Sequence, residues 1–210
     1  MTPLLCYITD RRALAEPTQL SEHIVAAVAA GIDWIQIREK DLPTRELLRL
    51  TRLAVKAAAS GSHSTTRIIV NDRLDVALAA SAGGVHLGES SLPVAALNAW
   101  KRAASFSEFL IGASCHSLEA ARAAEGDGAD YVIFGPVFST PSKETFGAPQ
   151  GIKRLAEVSR AVKIPVLAIG GITEKNAREC LNAGASGIAA IRMFCSERDL
   201  AGLVGRLGNP

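Results

Sequence analysis

The sequence predicts a (β/α)₈ barrel, in which eight parallel strands close into one sheet and a helix follows each strand. The first observation is that short apolar runs alternate with segments of helical period along the whole chain. The second is that the chain, a predicted single domain of residues 1–210, can bury one sizeable core. An open doubly wound sheet is the rival, but the glycine-rich turn typical of that fold is absent after the first run, where Thr9, Asp10, Arg11 and Arg12 follow.

Eight apolar runs are the predicted strands. Each is four to six residues long, is rich in Val, Ile or Leu, and is bounded by Gly, Asp, Pro or Ser. They cover residues 4–8, 34–37, 67–70, 84–87, 109–114, 131–134, 166–169 and 188–191.

The segments between the runs have the period and composition of helices, for example LSEHIVAAVAAG and EKNARECLNAGA. Several end in Ala-Gly before the next run, and glycine accepts the left-handed backbone that ends many helices. Ser21, Ser117 and Thr173 are predicted N-caps, because a side-chain oxygen there can accept a hydrogen bond from a free N–H group.

Composition narrows the function classes. The chain is 48% hydrophobic and 21% charged, with a net charge of +2 and no block of like charges, which argues against nucleic acid or a membrane as partner. The opening MTPLLCYITD lacks the features of a signal peptide, so we expect a cytoplasmic protein. The four cysteines of the chain lie far apart and form no C-x-x-C pair. We expect Cys6 and Cys115 to be buried and to pack as apolar residues. Whether the chain forms a homo-oligomer is left open.

The active site of such a barrel lies at the C-terminal ends of its strands. Gln36, Arg38 and Lys40 alternate at the end of the second run and so share one side of an extended segment. Two cations facing a barrel interior require an anion, which is either a carboxylate of the protein or a phosphate of a ligand. The alternative is a solvated loop just beyond the strand.

Carboxylates follow the third and fourth runs. Asp72 either ligates Mg²⁺ or caps the next helix. The adjacent Asn71 hydrogen-bonds either the edge of a ligand heterocycle or the backbone of a turn. Glu89 is a second candidate metal ligand. Ser114 and His116 come after the fifth run, where a lone histidine is more often structural than catalytic.

The later loops predict a phosphate site. The loop after the sixth run has roughly fifteen residues, a length typical of functional loops, and it contains Ser139, Thr140, Ser142, Thr145 and Lys143. Gly170 and Gly171 follow the seventh run and allow backbone N–H groups to approach a ligand, while Arg192 follows the eighth. Because the loops after strands seven and eight often bind phosphate in this fold, we expect a small phosphorylated substrate.

These residues lie in strings that resemble the thiamine phosphate synthase family. The strings, in order from Tyr7 to Ile191, are YITD, WIQIREKD, VNDRLDVALAASAGGVHLG, GASCHSLEAARAAEGDGADYVIFGPVFSTPSK and VLAIGGITEKNA…AGASGIAAI. The resemblance implies a transferase of thiamine biosynthesis that joins 4-amino-2-methyl-5-pyrimidinylmethyl diphosphate to a thiazole phosphate and releases pyrophosphate. It also implies Mg²⁺ as cofactor.

The resemblance assigns roles to residues by matching motif. It implies that the run Gln36, Ile37, Arg38, Glu39 and Lys40, with Lys143, binds the pyrimidine diphosphate. Asn71 and the catalytic Ser114 line the pyrimidine and cation region, and Asp72 holds Mg²⁺. The implied thiazole phosphate residues are Thr140, Pro141, Ser142, Gly171, Ile191 and Arg192.

Two positions depart from the family pattern. Ser91 stands where the family carries a second Mg²⁺-binding aspartate, with Glu89 as a potential substitute, and Arg192 stands where the family has a serine. The thiazole tautomerases of thiamine synthesis share the barrel and many of the motifs, and in them His116 would be the catalytic acid and base. A third hypothesis is that the chain is a non-catalytic phosphate-binding barrel. Asp72, Lys40 and Lys143 favour the synthase, because together they suit a diphosphate and a metal.

Overall fold

The computed structural model describes residues 2–14, 19–60, 65–139 and 148–208. Its eight strands hydrogen-bond in chain order as one closed parallel barrel, which confirms the predicted fold class. The strands are β1 (Leu4–Ile8), β2 (Trp34–Ile37), β3 (Arg67–Asn71), β4 (Gly84–Leu87), β5 (Leu110–Cys115), β6 (Tyr131–Phe134), β7 (Val166–Ala168) and β8 (Gly187–Ala190).

Helices separate successive strands, as the alternating pattern predicts. The described helices are α1 (Leu20–Ala29), α2 (Thr44–Ser60), α3 (Leu74–Ala79), α4 (Val94–Ala103), α5 (Leu118–Gly126), α6 (Gly151–Ala161), α7 (Glu174–Asn182), α8 (Arg192–Cys195) and α9 (Leu200–Gly208), with a 3₁₀ turn at Arg11–Ala13. None of them is long and apolar enough to cross a membrane.

Four strands differ from their predicted bounds, and two of them, the fifth and the eighth, also begin at other residues, Leu110 and Gly187. The third strand extends to Asn71 and the fifth to Cys115, whereas the seventh ends at Ala168 and the eighth at Ala190. Asn71, the added end of the third strand, is polar, and a prediction from hydropathy alone leaves it out. Ile191 lies outside its strand because it already serves as the N-cap of α8.

The predicted caps are only partly correct. The Ser117 side chain accepts from Ala120 N–H at 3.1 Å, and Thr173 forms a capping box with Asn176. The prediction of Ser21 as an N-cap is wrong, because α1 already begins at Leu20 and Gln19 is its N-cap. The Ala-Gly endings are confirmed at two helices by the positive φ angles of Gly31 and Gly184. Gly128 also has a positive φ after α5, but it follows Asp127.

The chain divides into two compact units. One comprises Leu4–Val85 and the segment from Ala190 onward, and is called the terminal unit here. The other, His86–Ala189, is called the central unit. That residues 1–210 form a single domain stays a prediction.

The terminal unit has a core of residues from strands β1, β2 and β3 and from helices α1 and α8. Tyr7, Ile24, Ile35, Ile69 and Phe194 are fully buried. The Tyr7 hydroxyl lies 3.4 Å from the Cys195 sulfur, and the rings of Tyr7 and Phe194 are in contact. The prediction for Cys6 is confirmed, since it is fully buried and burial raises the pKa of its thiol to about 12.

The central unit is packed around Tyr131, Phe134 and Leu167, all fully buried. Its close packing depends on Gly112, where an added Cβ would lie 2.0 Å from Cζ of Tyr131. Cys115 is buried here as predicted, and burial raises the pKa of its thiol to about 12.

An aspartate fixes the start of a strand in each unit. In the terminal unit, Asp33 accepts the N–H of Leu5 at 2.9 Å. In the central unit, Asp130 accepts the N–H of Ile111 at 2.7 Å and also pairs with Lys101. Each carboxylate precedes one strand and bonds the N–H group of the strand before it, so it satisfies a donor at a sheet end.

Candidate active site

A cleft of about 240 Å³ opens in the terminal unit beside the ends of β2 and β3. It is lined by Ile37, Glu39, Lys40, Leu42, Leu47, Asn71, Asp72 and Arg73. Five of the residues expected to bind substrate or metal are among these, so the polar residues that follow the second and third strands are brought together as predicted.

Gln36 and Asn71 form a polar pair next to this cleft. Gln36 is buried, and its Nε2 donates to Oδ1 of Asn71 at 3.0 Å. Its Oε1 is also buried, and no described residue bonds it. The Asn71 Nδ2 donates to no described residue either. Because a buried acceptor without a partner is costly, this pair is suited to a ligand edge that both donates and accepts.

The cations that follow Gln36 are free for an anion. Arg38 is half-buried and Lys40 is exposed, and no carboxylate in the described part of the chain pairs with either side chain. The Arg38 backbone is fixed, since its N–H donates to Oγ1 of the fully buried Thr9 at 2.9 Å. Of the two anion sources that the sequence left open, a ligand is therefore favoured.

The carboxylates nearest to Lys40 in the chain are already paired. Glu39 is buried and accepts from the Arg11 side chain at 2.9 Å and from its backbone N–H at 3.2 Å. Asp41 accepts hydrogen bonds from both terminal nitrogens of Arg11, at 2.7 and 2.6 Å, and a further hydrogen bond from Arg12. The hydrogen bonds from Arg11 hold the pKa of Asp41 well below its usual range. We call Arg11, Arg12, Glu39 and Asp41 the charge clamp.

Asp72 occupies a strained turn and not a cap. Its φ is +68°, and the turn is closed by a 2.8 Å bond from Arg73 N–H to the Asn71 carbonyl. The N-cap of α3 is Arg73, so the capping interpretation of Asp72 is wrong. The Asp72 side chain is exposed and accepts no hydrogen bond from the described residues. Such backbone strain is concentrated at functional sites.

The central unit holds a chain of hydrogen bonds around Ser114. The Ser114 Oγ lies 2.9 Å from Nε2 of His86, and Nδ1 of the same ring lies 3.2 Å from the Tyr131 hydroxyl. His86 and Tyr131 are buried, whereas Ser114 is half-buried. The contact with the buried His86 ring therefore restricts the position of the Ser114 hydroxyl.

Two other candidates of the central unit are occupied by local contacts. Ser91 accepts the N–H of Gly88 at 2.7 Å. His116 donates from Nδ1 to the Gly135 carbonyl, and its Nε2 lies 3.8 Å from Glu89, which is exposed. Among the residues described, no group of three or more His, Cys, Asp or Glu side chains is arranged to hold a metal.

The Gly-Gly pair after β7 lies close to the segment after β6. Gly170 and Gly171 have φ of +97° and +64°, and a Cβ on Gly171 would lie 2.6 Å from the Ser139 carbonyl oxygen. The N–H groups of both glycines donate to no described residue. Unpaired N–H groups of consecutive residues favour an anion, in agreement with the predicted phosphate site.

Arg192 begins α8 and its side chain is exposed. No carboxylate among the described residues pairs with it. Ile191 precedes it as a half-buried N-cap. Other predicted phosphate ligands lie outside the described residues: Thr140, Pro141, Ser142, Lys143 and Thr145.

Sequence reasoning missed two residues of these sites. His86 lies within the apolar run GVHL, where one polar residue among buried strand positions was its only signal. Arg11 was named only as one of the residues that stand where a glycine-rich turn would follow the first run. Its partners, Glu39 and Asp41, are 28 and 30 positions away in the chain. Pairing over such distances depends on the fold and leaves no local pattern.

Comparisons with known proteins agree on one family. A family model described as thiamine monophosphate synthase matches residues 5–194. The chain is 40% identical to the thiamine-phosphate synthase of Moorella thermoacetica, with 97% of this chain and 93% of that protein covered. It is 45% identical to the thiamine-phosphate synthase of Methanoculleus marisnigri, over 83% and 79% of the two chains.

Solved structures give the same result. The thiamine phosphate pyrophosphorylase of Pyrococcus furiosus matches with a TM-score of 0.81 and 37% identity, over 97% of this chain and 93% of that chain. A FabK structure from Thermotoga maritima, 20% identical with a TM-score of 0.62, shares the fold alone. The tautomerase alternative, with His116 as acid and base, is not favoured by these matches.

Proposed function

Because the chain belongs to the thiamine monophosphate synthase family and is a transferase that makes thiamine phosphate, we propose how its residues divide that reaction. The substrates are a pyrimidine methyl diphosphate and a thiazole phosphate. The observation that carries the proposal is the Gln36–Asn71 pair, which leaves one acceptor and one donor unpaired beside the cleft that Lys40 lines.

The amide pair suits an aminopyrimidine. Gln36 Oε1 would accept from the exocyclic amino group, and Asn71 Nδ2 would donate to a ring nitrogen. A pair of this kind discriminates strongly against a ring that lacks the amino group, because the buried Gln36 oxygen would then stay unbonded. Ile37, fully buried, is one of the apolar residues that line the adjacent cleft.

Arg38 and Lys40 would bind the diphosphate, and Lys143 is proposed for the same role from its motif. Charge-assisted bonds from such cations stabilise the negative charge that the leaving group acquires. Glu39 contributes indirectly, because its carboxylate is directed at Arg11.

Asp72 is the proposed protein ligand of Mg²⁺. The donor set fits this ion: one exposed carboxylate without a hydrogen-bond partner, in a cleft proposed to hold a diphosphate. Mg²⁺ is often held by one or two carboxylates together with substrate phosphate oxygens and water. When bound, the ion neutralises charge on the departing diphosphate. Ser91 provides a neutral oxygen that Gly88 N–H already uses, so Asp72 is the main ligand that this chain offers.

The thiazole phosphate would be held by neutral and cationic donors. These are the N–H groups of Gly170 and Gly171, the side chain of Arg192 beside Ile191, and, from their motif, the residues 140–142. Ser114, which contacts His86, is proposed to line the pyrimidine methylene.

The reaction needs no proton shuttle. The bond between the methylene carbon and the diphosphate oxygen breaks with both electrons going to the oxygen, and pyrophosphate departs. The thiazole nitrogen then donates its lone pair to the methylene cation and forms the new C–N bond. The protein positions the two substrates and stabilises the developing charges.

The test combines the purified chain, Mg²⁺ and both substrates, and measures pyrophosphate release together with thiamine phosphate. Gln36→Met, which removes both amide atoms at nearly constant volume, should raise KM for the pyrimidine diphosphate about ten-fold or more. KM for the thiazole phosphate should stay unchanged in that variant. Absence of pyrophosphate release with both substrates present would refute the proposed reaction.

A further inference from the structure

Lys40 lies between two carboxylates in the chain, Glu39 and Asp41. Without other partners, an exposed lysine flanked in this way would be neutralised by its neighbours, and the loop after β2 would repel a diphosphate. In the structure neither carboxylate pairs with Lys40, because both accept hydrogen bonds from Arg11.

Arg11 is suited to this role by geometry. Its guanidinium forms two parallel bonds to Asp41, of 2.7 and 2.6 Å, and a third of 2.9 Å to Glu39. The fork of a guanidinium matches a carboxylate in two places at once, which a lysine cannot do. The Arg11 backbone N–H also donates to Glu39, at 3.2 and 3.3 Å, so the carboxylate joins the loop after β1 to the loop after β2.

Arg12 is a natural comparison within the same cluster. Of the two carboxylates, the Arg12 side chain bonds only Asp41 and is 73% exposed, whereas the Arg11 side chain is 34% exposed and bonds both. An exposed ion pair contributes little. Loss of Arg12 would therefore leave both carboxylates paired.

We propose that Arg11 is a positioning and specificity residue for diphosphate binding, because it sequesters Glu39 and Asp41 and thereby leaves Lys40 free for the ligand. This inference rests on the proposed function of the cleft. Arg11 itself need not touch the diphosphate. Its effect is electrostatic, so it should be reversible by removing a carboxylate.

The experiment measures binding of inorganic pyrophosphate with Mg²⁺ by calorimetry, for the full chain and four variants. Arg11→Gln should weaken binding about ten-fold, since it releases two carboxylates next to Lys40. Arg12→Gln should change binding by less than about three-fold. The double variant Arg11→Gln/Asp41→Asn should recover to within about three-fold of the wild type, and Asp41→Asn alone should bind at least as tightly as the wild type.

Turnover gives a second readout. Arg11→Gln should raise KM for the pyrimidine diphosphate while kcat and KM for the thiazole phosphate stay within about two-fold. Unfolding curves accompany every variant. If Arg11→Gln fails to fold, Arg11→Lys with and without Asp41→Asn replaces it, with the same expected recovery.

The outcomes separate the two proposals. Unchanged pyrophosphate binding in Arg11→Gln, or a double variant that binds as weakly as Arg11→Gln, would overturn the role of Arg11 and leave the proposed function intact. Failure of the wild-type chain to bind pyrophosphate with Mg²⁺ would overturn the diphosphate assignment and this inference with it.

Discussion

Asp33 in the terminal unit and Asp130 in the central unit have the same role, since each accepts the N–H of the second residue of a neighbouring strand. The ends of the strands differ between the two units. In the terminal unit, the loops after β2 and β3 carry the charge clamp and the strained Asp72. In the central unit, β4, β5 and β6 contribute His86, Ser114 and Tyr131, which are joined by hydrogen bonds.

The difference shows what is constrained by the fold and what by the reaction. Every unit of parallel strands must satisfy the donors where its strands begin, so the same residue type recurs there. Loops after the strands are free to vary. One unit fixes its loop by ion pairs, which respond to charge and salt, and the other by buried hydrogen bonds and close packing, which respond to volume. Mutations of the two kinds should therefore have separable effects.

The largest expected effect is a loss of turnover when Asp72, which follows β3, is replaced. Asp72→Asn should lower Mg²⁺-dependent turnover about a hundred-fold or more, because the proposed metal ligand is lost. Asparagine tolerates the left-handed φ of +68°, so the unfolding midpoint should hardly change. Asp72→Ala should be equally inactive but less stable, since alanine is strained at that φ. Wild-type activity in Asp72→Asn, or full wild-type activity in excess chelator, would contradict the metal role.

Arg192→Ala should have the next largest effect. A charge-assisted bond to phosphate is worth about 1.5–3 kcal/mol, so thiazole phosphate binding should weaken roughly ten- to a hundred-fold. Binding of the pyrimidine diphosphate should stay the same, because other cations are proposed for it. Separate titration of each ligand measures both values. Arg206→Gln, which also removes one cation, is the control. Unaltered thiazole phosphate affinity would make Arg192 a structural residue.

Much of this architecture follows from local sequence. Apolar runs bounded by turn residues identify all eight strands, because buried parallel strands are continuously hydrophobic. The same pattern places Gln36, Asn71 and Gly171 at or just after strand ends. Local rules fail where tertiary contacts decide the outcome. Asp72 is a residue type typical of helix caps but adopts a positive φ. The partners of Arg11 are set by the pairing of β1 with β2.

The packing of the central unit should be sensitive to one methyl group. Gly112→Ala places a Cβ at 2.0 Å from the ring of fully buried Tyr131, so the ring must move. We expect unfolding to become easier by about 1–3 kcal/mol, as for other overpacked cores. Gly126→Ala, at the end of α5 with nothing within 4 Å, should be neutral or stabilising. Urea unfolding measures both, and equal stability of the two variants would show that Tyr131 adapts without cost.

The smallest expected effect is a difference in unfolding free energy between the Asp33→Asn and Asp130→Asn variants. Asn keeps an oxygen for the backbone N–H group, so Asp33→Asn should cost only a few tenths of a kcal/mol. Asp130→Asn should cost about 1 kcal/mol, because it also breaks the ion pair with Lys101, whose side chain is only 12% exposed. The excess cost of Asp130→Asn should shrink at high salt, since screening weakens the pair that is lost. Urea unfolding of both variants at low and high salt measures these differences. Equal costs at low salt would mean that Lys101 contributes nothing, and that the two aspartates act only through the backbone N–H groups they accept.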